Sequence, residues 1–194
     1  MHRIILASGS PRRRQLLNQI GIPHEVIVSG ADETIDGPPD MQVKDLALRK
    51  ANAVCNNLND DAVIIAADTL VYIDGNVLGK PACCDEAFAM LKTLQGRCHT
   101  VYTGVAVLRV DAGVISQQIF VETANVYFRE LMDEEILAYI NTGEPFDKAG
   151  AYGVQDRGAL LVDRVDGDYF TVVGLPVARL GVALREMGVE VWQK

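Results

Sequence analysis

The stretch Ala62-Val-Ile-Ile-Ala-Ala-Asp-Thr-Leu-Val-Tyr-Ile-Asp-Gly-Asn-Val-Leu78 carries the signal that decides the architecture. Residues 62–67 are an unbroken apolar run of strand length. The β-branched Val71 and Ile73 then lead into Asp74-Gly75, a good hairpin turn, with Val77-Leu78 returning. Upstream, residues 3–7 read as a short buried strand. Ser8-Gly9-Ser10-Pro11 follows with a turn, an N-cap candidate in Ser10 and a proline at the first helical position. A helix is predicted over 11–20, with Leu16, Leu17 and Ile20 on one face and Gly21 as its stop. Residues 24–28 predict a second strand, and 30–40, rich in Gly, Pro and Asp, a loop. Helical periodicity through Leu46, Ala47, Lys50, Ala51 and Val54 predicts a helix over 43–58.

Downstream, 85–94 reads as a helix stopped by Gly96. Two long β-rich segments, 100–110 and 114–128, are joined through Asp111-Ala112-Gly113 as a hairpin. Residues 133–140 predict a helix with three acids in its first turn. The glycine-rich stretch 143–158 predicts a loop. Short strands are expected around 160–165 and 169–173, then a last helix over 176–187. Helices and strands alternate but hairpins intervene, so the expected fold class is α/β with a mixed, partly antiparallel sheet flanked by helices.

With 194 residues, 49% of them hydrophobic and 23% charged, the chain has the content of one globular domain over 1–194, or of two lobes sharing a core, and global disorder is excluded. No stretch approaches the roughly 20 apolar residues of a membrane span, and the apolar run after Met1-His2-Arg3 is too short for a signal peptide, so a cytoplasmic protein is expected, with no membrane partner. Cys55, Cys83, Cys84 and Cys98 have no C-x-x-C spacing, which argues for reduced thiols. A formal charge of -8 opposes the broad cationic surface that nucleic-acid binding uses. A small anion needs only a few clustered cations.

Such a cluster sits at Ser8 to Arg14. A strand, a Gly/Ser turn and a helix start present free backbone amides and the positive end of the helix dipole together. Arg12, Arg13 and Arg14 add the densest positive charge in the chain. Cations at that end oppose the dipole, a local cost that a bound anion would offset. The plainer reading is a solvated basic turn. The G-x-x-x-x-G-K-[ST] spacing of a Walker A loop is absent. Asp68, expected at the end of its strand, is either a hydrogen-bonded, paired or metal-bound carboxylate or an acid capping the turn into Thr69. On composition alone Glu33 is a solvated loop acid and Lys50 a surface charge.

These residues resemble the Maf nucleotide pyrophosphatases. Leu6-Ala-Ser-Gly-Ser-Pro-Arg-Arg13 is similar to their N-terminal signature, Ala67-Asp68-Thr69 to their acidic motif, Gly79-Lys80-Pro81 to their lysine motif and His99-Thr-Val-Tyr-Thr-Gly104 to their next strand. Gly143-Glu-Pro-Phe-Asp-Lys-Ala-Gly-Ala-Tyr-Gly-Val-Gln155 and Val173-Gly-Leu-Pro176 complete a set spread over roughly 170 residues, far more specific than any one motif. The resemblance implies a Maf/ITPase-like fold, two lobes around a central cleft, a homodimer, and a house-cleaning activity that cleaves a nucleoside triphosphate to the monophosphate and pyrophosphate. It implies Asp68, Glu33 and Lys80 as catalytic residues, with Asp68 the proton acceptor for water, and Asp68 and Glu33 as ligands of a divalent cation, magnesium or manganese. Ser8, Arg12, Arg13, Lys50, Thr69, Lys148 and Gln155 are implied to bind substrate. The chemistry asks for such a set: in-line attack needs an oriented water, and the charge on the phosphoryl oxygens and leaving pyrophosphate needs neutralising.

The loop 147–155 is similar to the branch active on dTTP and UTP, in which Arg12, Thr69 and Gln155 match specificity positions; Gln155 can both donate to and accept from a pyrimidine edge. Asp168-Tyr-Phe-Thr171 departs from the branch's more usual Ser-Tyr-Tyr-Asn. Two other readings remain beside this one: a pyrophosphatase for 7-methyl-GTP or another modified nucleotide, and a septum-formation regulatory protein whose acidic surface meets a basic partner.

Overall fold

The computed structural model describes residues 3–192. Strand β1 (Ile4–Leu6) is wholly buried and pairs in parallel with β2 (Glu25–Val26) on one side and β3 (Ala62–Ile73) on the other. Between β1 and β2 lies α1 (Pro11–Gln19), where Ser10 Oγ accepts from Arg13 N, the capping expected of serine before a helical proline. Helix α2 (Pro39–Cys55) starts a turn earlier than its apolar periodicity, with proline at its first position.

β3 continues through the expected hairpin to β4 (Asn76–Leu78). The turn residues Asp74 and Gly75 have φ of 50° and 82°, the left-handed pair that a two-residue hairpin needs. Helix α3 (Cys84–Leu94) precedes the long strands β5 (Cys98–Asp111) and β6 (Val114–Phe128), and α4 (Asp133–Ile140) has the predicted bounds. β7 (Val162–Gly167) pairs antiparallel with β6, and α6 (Val177–Glu186) is the last described helix. The sheet order is β2-β1-β3-β5-β6-β7, with β4 on β3, so the mixed sheet is as expected.

Three expectations are corrected. Residues 169–173 form a helix, α5 (Tyr169–Val173), in place of a strand: Asp168 Oδ2 accepts from both Thr171 N (2.8 Å) and Thr171 Oγ1 (2.9 Å), and this cap outweighs the β propensity of Tyr-Phe-Thr-Val-Val. The loop 143–158 is largely wound into 3-10 turns, at Glu144–Asp147, Ala149–Ala151 and Asp156–Leu161. Asp68 does not end its strand, because β3 runs on to Ile73.

The chain divides into two compact units, with boundaries inside β3, β5 and β6. The first holds the described residues through Asp68, Thr103–Glu122, and those from Gly174 onward; the second holds Thr69–Tyr102 and Thr123–Val173. In the first unit α2 lies on one sheet face, its Ala47, Ala51 and Val54 packed with Ile5, Ala62, Ile64, Ala66 and Ala106. Small side chains on both surfaces let helix and sheet approach closely. The limit is at Gly104, where an added Cβ would overlap the carbonyl of Val43 in α2. In the second unit Leu91 and Leu94 of α3 and Ile136 and Ile140 of α4 pack with Val101, Val126 and Phe128. No described helix is long and apolar enough to cross a membrane.

Candidate active site

The site in the first unit follows from strand register. β1 pairs Leu6 with Ile65, and Ala7 N still donates to Ile65 O at 2.8 Å before the chain turns away through Ser8 and Gly9. Asp68 lies three residues past Ile65, on the stretch of β3 that outlasts β1. Its carboxylate therefore emerges at the carboxyl end of the parallel pair, the edge where open α/β sheets present ligand-binding groups. By the two-residue alternation of a strand, Asp68 shares a face with Ala62, Ile64 and Ala66, the face that α2 covers.

From α2, Lys50 reaches this carboxylate. It shares the buried stripe with Val43, Leu46, Ala47, Ala51 and Val54, and only 10% of its side chain is exposed, so its reading as a surface charge is corrected. Nζ lies 2.7 Å from Asp68 Oδ1 and 2.8 Å from Glu33 Oε1. A buried ammonium is costly unless its charge and donors are met, and two carboxylates meet them. Glu33 is supplied by a loop with its own order: Thr34 N donates to Asp32 Oδ1 (2.9 Å), which holds the Asp32 carboxyl below its usual range, while Arg49 Nη1 donates to Thr34 O (3.0 Å) and Gln42 Nε2 to Gly37 O (2.7 Å). Two residues of α2 thus fasten the segment that carries Glu33.

Arg13 stands at the third position of α1. Its Nε donates to Gly174 O at 2.8 Å and its Nη1 to Ser8 Oγ at 3.1 Å, while Ser8 Oγ also accepts from Ser10 N at 3.2 Å. Burial lowers the guanidinium's pKa, offset by the charge of Asp68 and, more weakly, by that of Glu33. It stays protonated at any physiological pH. Arg12 is half-buried and near enough to lower the pKa of Arg13 by like-charge repulsion. Ser8, Arg12, Arg13, Glu33, Lys50 and Asp68 belong to one unit, and the charges of Asp68 and Glu33 act on Arg13. Gly174 is a member of the site that the sequence reading did not name, although it lies in the quoted Val173-Gly-Leu-Pro176 motif.

The remaining expected residues lie in the second unit. Thr69 follows Asp68 on β3. Lys80 is exposed in the segment between β4 and α3, and the adjacent Gly79 O accepts from Gly150 N at 3.0 Å. Lys148 Nζ donates to Glu144 O (2.6 Å) and Asp147 Oδ1 (2.7 Å). Gln155, half-buried, precedes the 3-10 turn that begins at Asp156.

Hard carboxylate oxygens from Asp68 and Glu33 converge on one cationic point. Among the described residues no group of three His, Cys, Asp or Glu side chains is placed to hold a metal ion. Two carboxylates suit magnesium, which takes one or two from the protein and completes its shell with phosphate oxygens and water.

Guanidinium, ammonium and paired carboxylates at the open end of parallel strands define an α/β protein equipped to hold an anionic ligand beside groups that can orient water. The chain belongs to the family of Maf-like proteins, whose profile matches residues 3–187. It is 51% identical over 180 residues to the dTTP/UTP pyrophosphatase of Thermoanaerobacter sp. (strain X514), covering 92% of this chain and 93% of the relative. It is 48% identical over 193 residues to that of Caldicellulosiruptor bescii (97% and 96% covered) and 47% identical over 194 residues to that of Bacillus anthracis (98% of each). Among solved structures, the Ham1 protein of Staphylococcus aureus aligns over 65% of this chain and 71% of its own at 16% identity, with a TM-score of 0.47.

Proposed function

We propose that this Maf-family chain is a nucleoside triphosphate pyrophosphatase acting on dTTP and UTP. The observation that carries the reading is Lys50, drawn under the sheet edge between Asp68 and Glu33. The relatives that bear this activity as their name support the substrate, since they align with nearly the whole chain. In the reaction, a water oxygen bonds to the α phosphorus, the bond from that phosphorus to the bridging oxygen breaks, and pyrophosphate leaves. Asp68 accepts the water's proton. Arg13, aimed by Ser8 and Gly174, binds the phosphate chain, and the amides at the start of α1 add to the field. Lys50, 2.7 Å from Asp68 Oδ1, orients that carboxylate. Asp68 and Glu33 would hold a divalent cation, magnesium or manganese, which when bound neutralises charge on the phosphates.

Arg12, Thr69, Lys80, Lys148 and Gln155 are proposed as further contacts to the nucleotide, with Lys80 assisting departure of the pyrophosphate and Gln155 reading the pyrimidine edge. A cytoplasmic location and a homodimer are part of the proposal; sedimentation velocity decides the second. The test of the activity is pyrophosphate release from a panel of dTTP, UTP, CTP, GTP and 7-methyl-GTP with magnesium or manganese. Turnover of dTTP and UTP above the others is expected. Preference for 7-methyl-GTP would move the chain to the other branch of the family, and no release from any triphosphate would overturn the reading.

A further inference from the structure

His99 is the second residue of β5 and is 2% exposed. Its ring meets those of Phe128 and Tyr152 edge-on, with centroids 5.2 and 5.3 Å away, and Phe128 and Tyr152 meet at 4.7 Å. His99 Nε2 lies 2.7 Å from the Tyr152 hydroxyl, whereas Nδ1, equally buried, has no hydrogen-bond partner. Orphaned buried N-H groups are rarer than under-satisfied acceptors. That favours the tautomer with the proton on Nε2, donating to Tyr152 Oη. Burial also pushes the imidazole pKa down to about 4, so the ring is neutral near pH 7 and does not exchange protons with a substrate there. A valine or leucine would fill this space without an unsatisfied nitrogen. The histidine therefore asks for a reason, and the reason lies in what Tyr152 belongs to.

Tyr152 sits in the 147–155 loop, directly after two left-handed residues, Gly150 (φ 68°) and Ala151 (φ 61°). For a fully buried alanine that backbone is strained and persists only where its surroundings hold it. Gly150 N is tied to Gly79 O, one residue from Lys80. Gly153 N donates to Tyr139 Oη at 3.3 Å, and the face of Gly153 lies so close to Lys148 that an added Cβ would come within 2.7 Å of its Cε. Gln155 follows two residues later. The strained turn, Lys148 and Gln155 thus share one short loop, and His99 donates to its central side chain.

We propose that His99 is a positioning residue for substrate selection: by holding the Tyr152 hydroxyl it fixes the strained 150–151 turn and, through it, the placement of Lys148 and Gln155. This rests on the pyrophosphatase reading above and on those two residues touching the nucleotide. Ring packing is tolerant of sliding, whereas the hydrogen bond is directional and sets where Tyr152 stops.

The test cuts the bond three ways. Tyr152→Phe removes the hydroxyl and keeps the ring. His99→Gln keeps a side chain that can donate. The double variant His99→Phe/Tyr152→Phe replaces both partners with apolar rings, which can leave stability close to that of the wild type. Expected are a KM for UTP raised about fivefold to tenfold in Tyr152→Phe and in the double variant, the factor of one net hydrogen bond, with kcat little changed. The preference for UTP over CTP should narrow alongside, and His99→Gln should recover most of both. Amide hydrogen exchange over 148–155 should quicken in the two Phe variants even where the melting temperature is kept, and this arm needs no turnover. Unchanged KM and selectivity with unchanged exchange in that loop would overturn the proposal. A wild-type protein that releases no pyrophosphate would instead overturn the functional reading and the substrate part of this one, leaving exchange to decide whether His99 holds the loop.

Discussion

At the start of α4, Arg129 and Glu135 answer each other: Nη2 lies 2.7 Å from Glu135 Oε1, while Glu135 Oε2 also accepts from Met132 N at 2.9 Å. Asp133, Glu134 and Glu135 together oppose the positive end of the helix dipole. At the start of α1 the same residue types are arranged otherwise. The first turn has no acid and three arginines, and Arg13 is aimed by neutral oxygens, Ser8 Oγ and Gly174 O. Asp68, the acid whose charge acts on it, is ion-paired at 2.7 Å with Lys50. One helix start meets its dipole with acids. The other sets three arginines and no acid against it, an arrangement that costs stability and is explicable when an anion binds. A dipole-opposed cation cluster is therefore a stronger mark of a site than any one of its residues.

The largest effect expected from breaking the contrast is at Asp68. Asp68→Asn should lower kcat by about 10²–10⁴-fold, the range for losing a general base, with the fold intact by circular dichroism. Wild-type turnover in that variant would remove the assigned role. Arg13→Met should raise KM for the triphosphate about tenfold to a hundredfold, as loss of a charge-assisted hydrogen bond does, and isothermal titration with a nonhydrolysable analogue checks it.

At α4 the expectation is opposite: Glu135→Gln should leave turnover alone and change the acid side of the stability profile. Its carboxyl is held below the ordinary 4.5, first by the side-chain bond from Arg129 and then by Met132 N. A depressed carboxylate stabilises fully above its unfolded pKa, and that stability is lost as pH falls through the lower, folded-state value. Melting temperatures from pH 7 to pH 3 should therefore fall less steeply below about pH 4.5 in Glu135→Gln than in the wild type. Identical slopes would dismiss the Arg129 pair as a stabilising device. The smallest effect is at Arg14, exposed in the first turn of α1: Arg14→Glu should raise stability by about 0.3–1 kcal/mol in urea unfolding by relieving the dipole.

Local rules account for most of what was legible. Ser10-Pro11 capped α1, Asp74-Gly75 made the hairpin turn, and the acids of 133–135 marked the start of α4, since each depends on neighbours a few residues away. The failures were also local contests. Tyr169–Val173 reads as strand by side-chain type, but Asp168, three residues before Thr171, was the cap that made a helix. Lys50 is the instructive case for the site. Its place on the stripe Leu46, Ala47, Lys50, Ala51 and Val54 was visible, and a lysine on the buried face of an amphipathic helix calls for an opposite charge beneath it. Composition alone assigned it to solvent.

The order of residues by itself determined most of the elements, the mixed sheet and the motifs that mark the family, because capping, alternation and turn chemistry act over a few residues. Only the tertiary structure decided that Asp68 emerges beside the end of β1 although its own strand continues, that Gly104 lets α2 close enough for Lys50 to reach it, and that Gly174 aims Arg13 across 161 positions of chain. Those contacts depend on register and packing distance between segments far apart in sequence, and no local pattern encodes them.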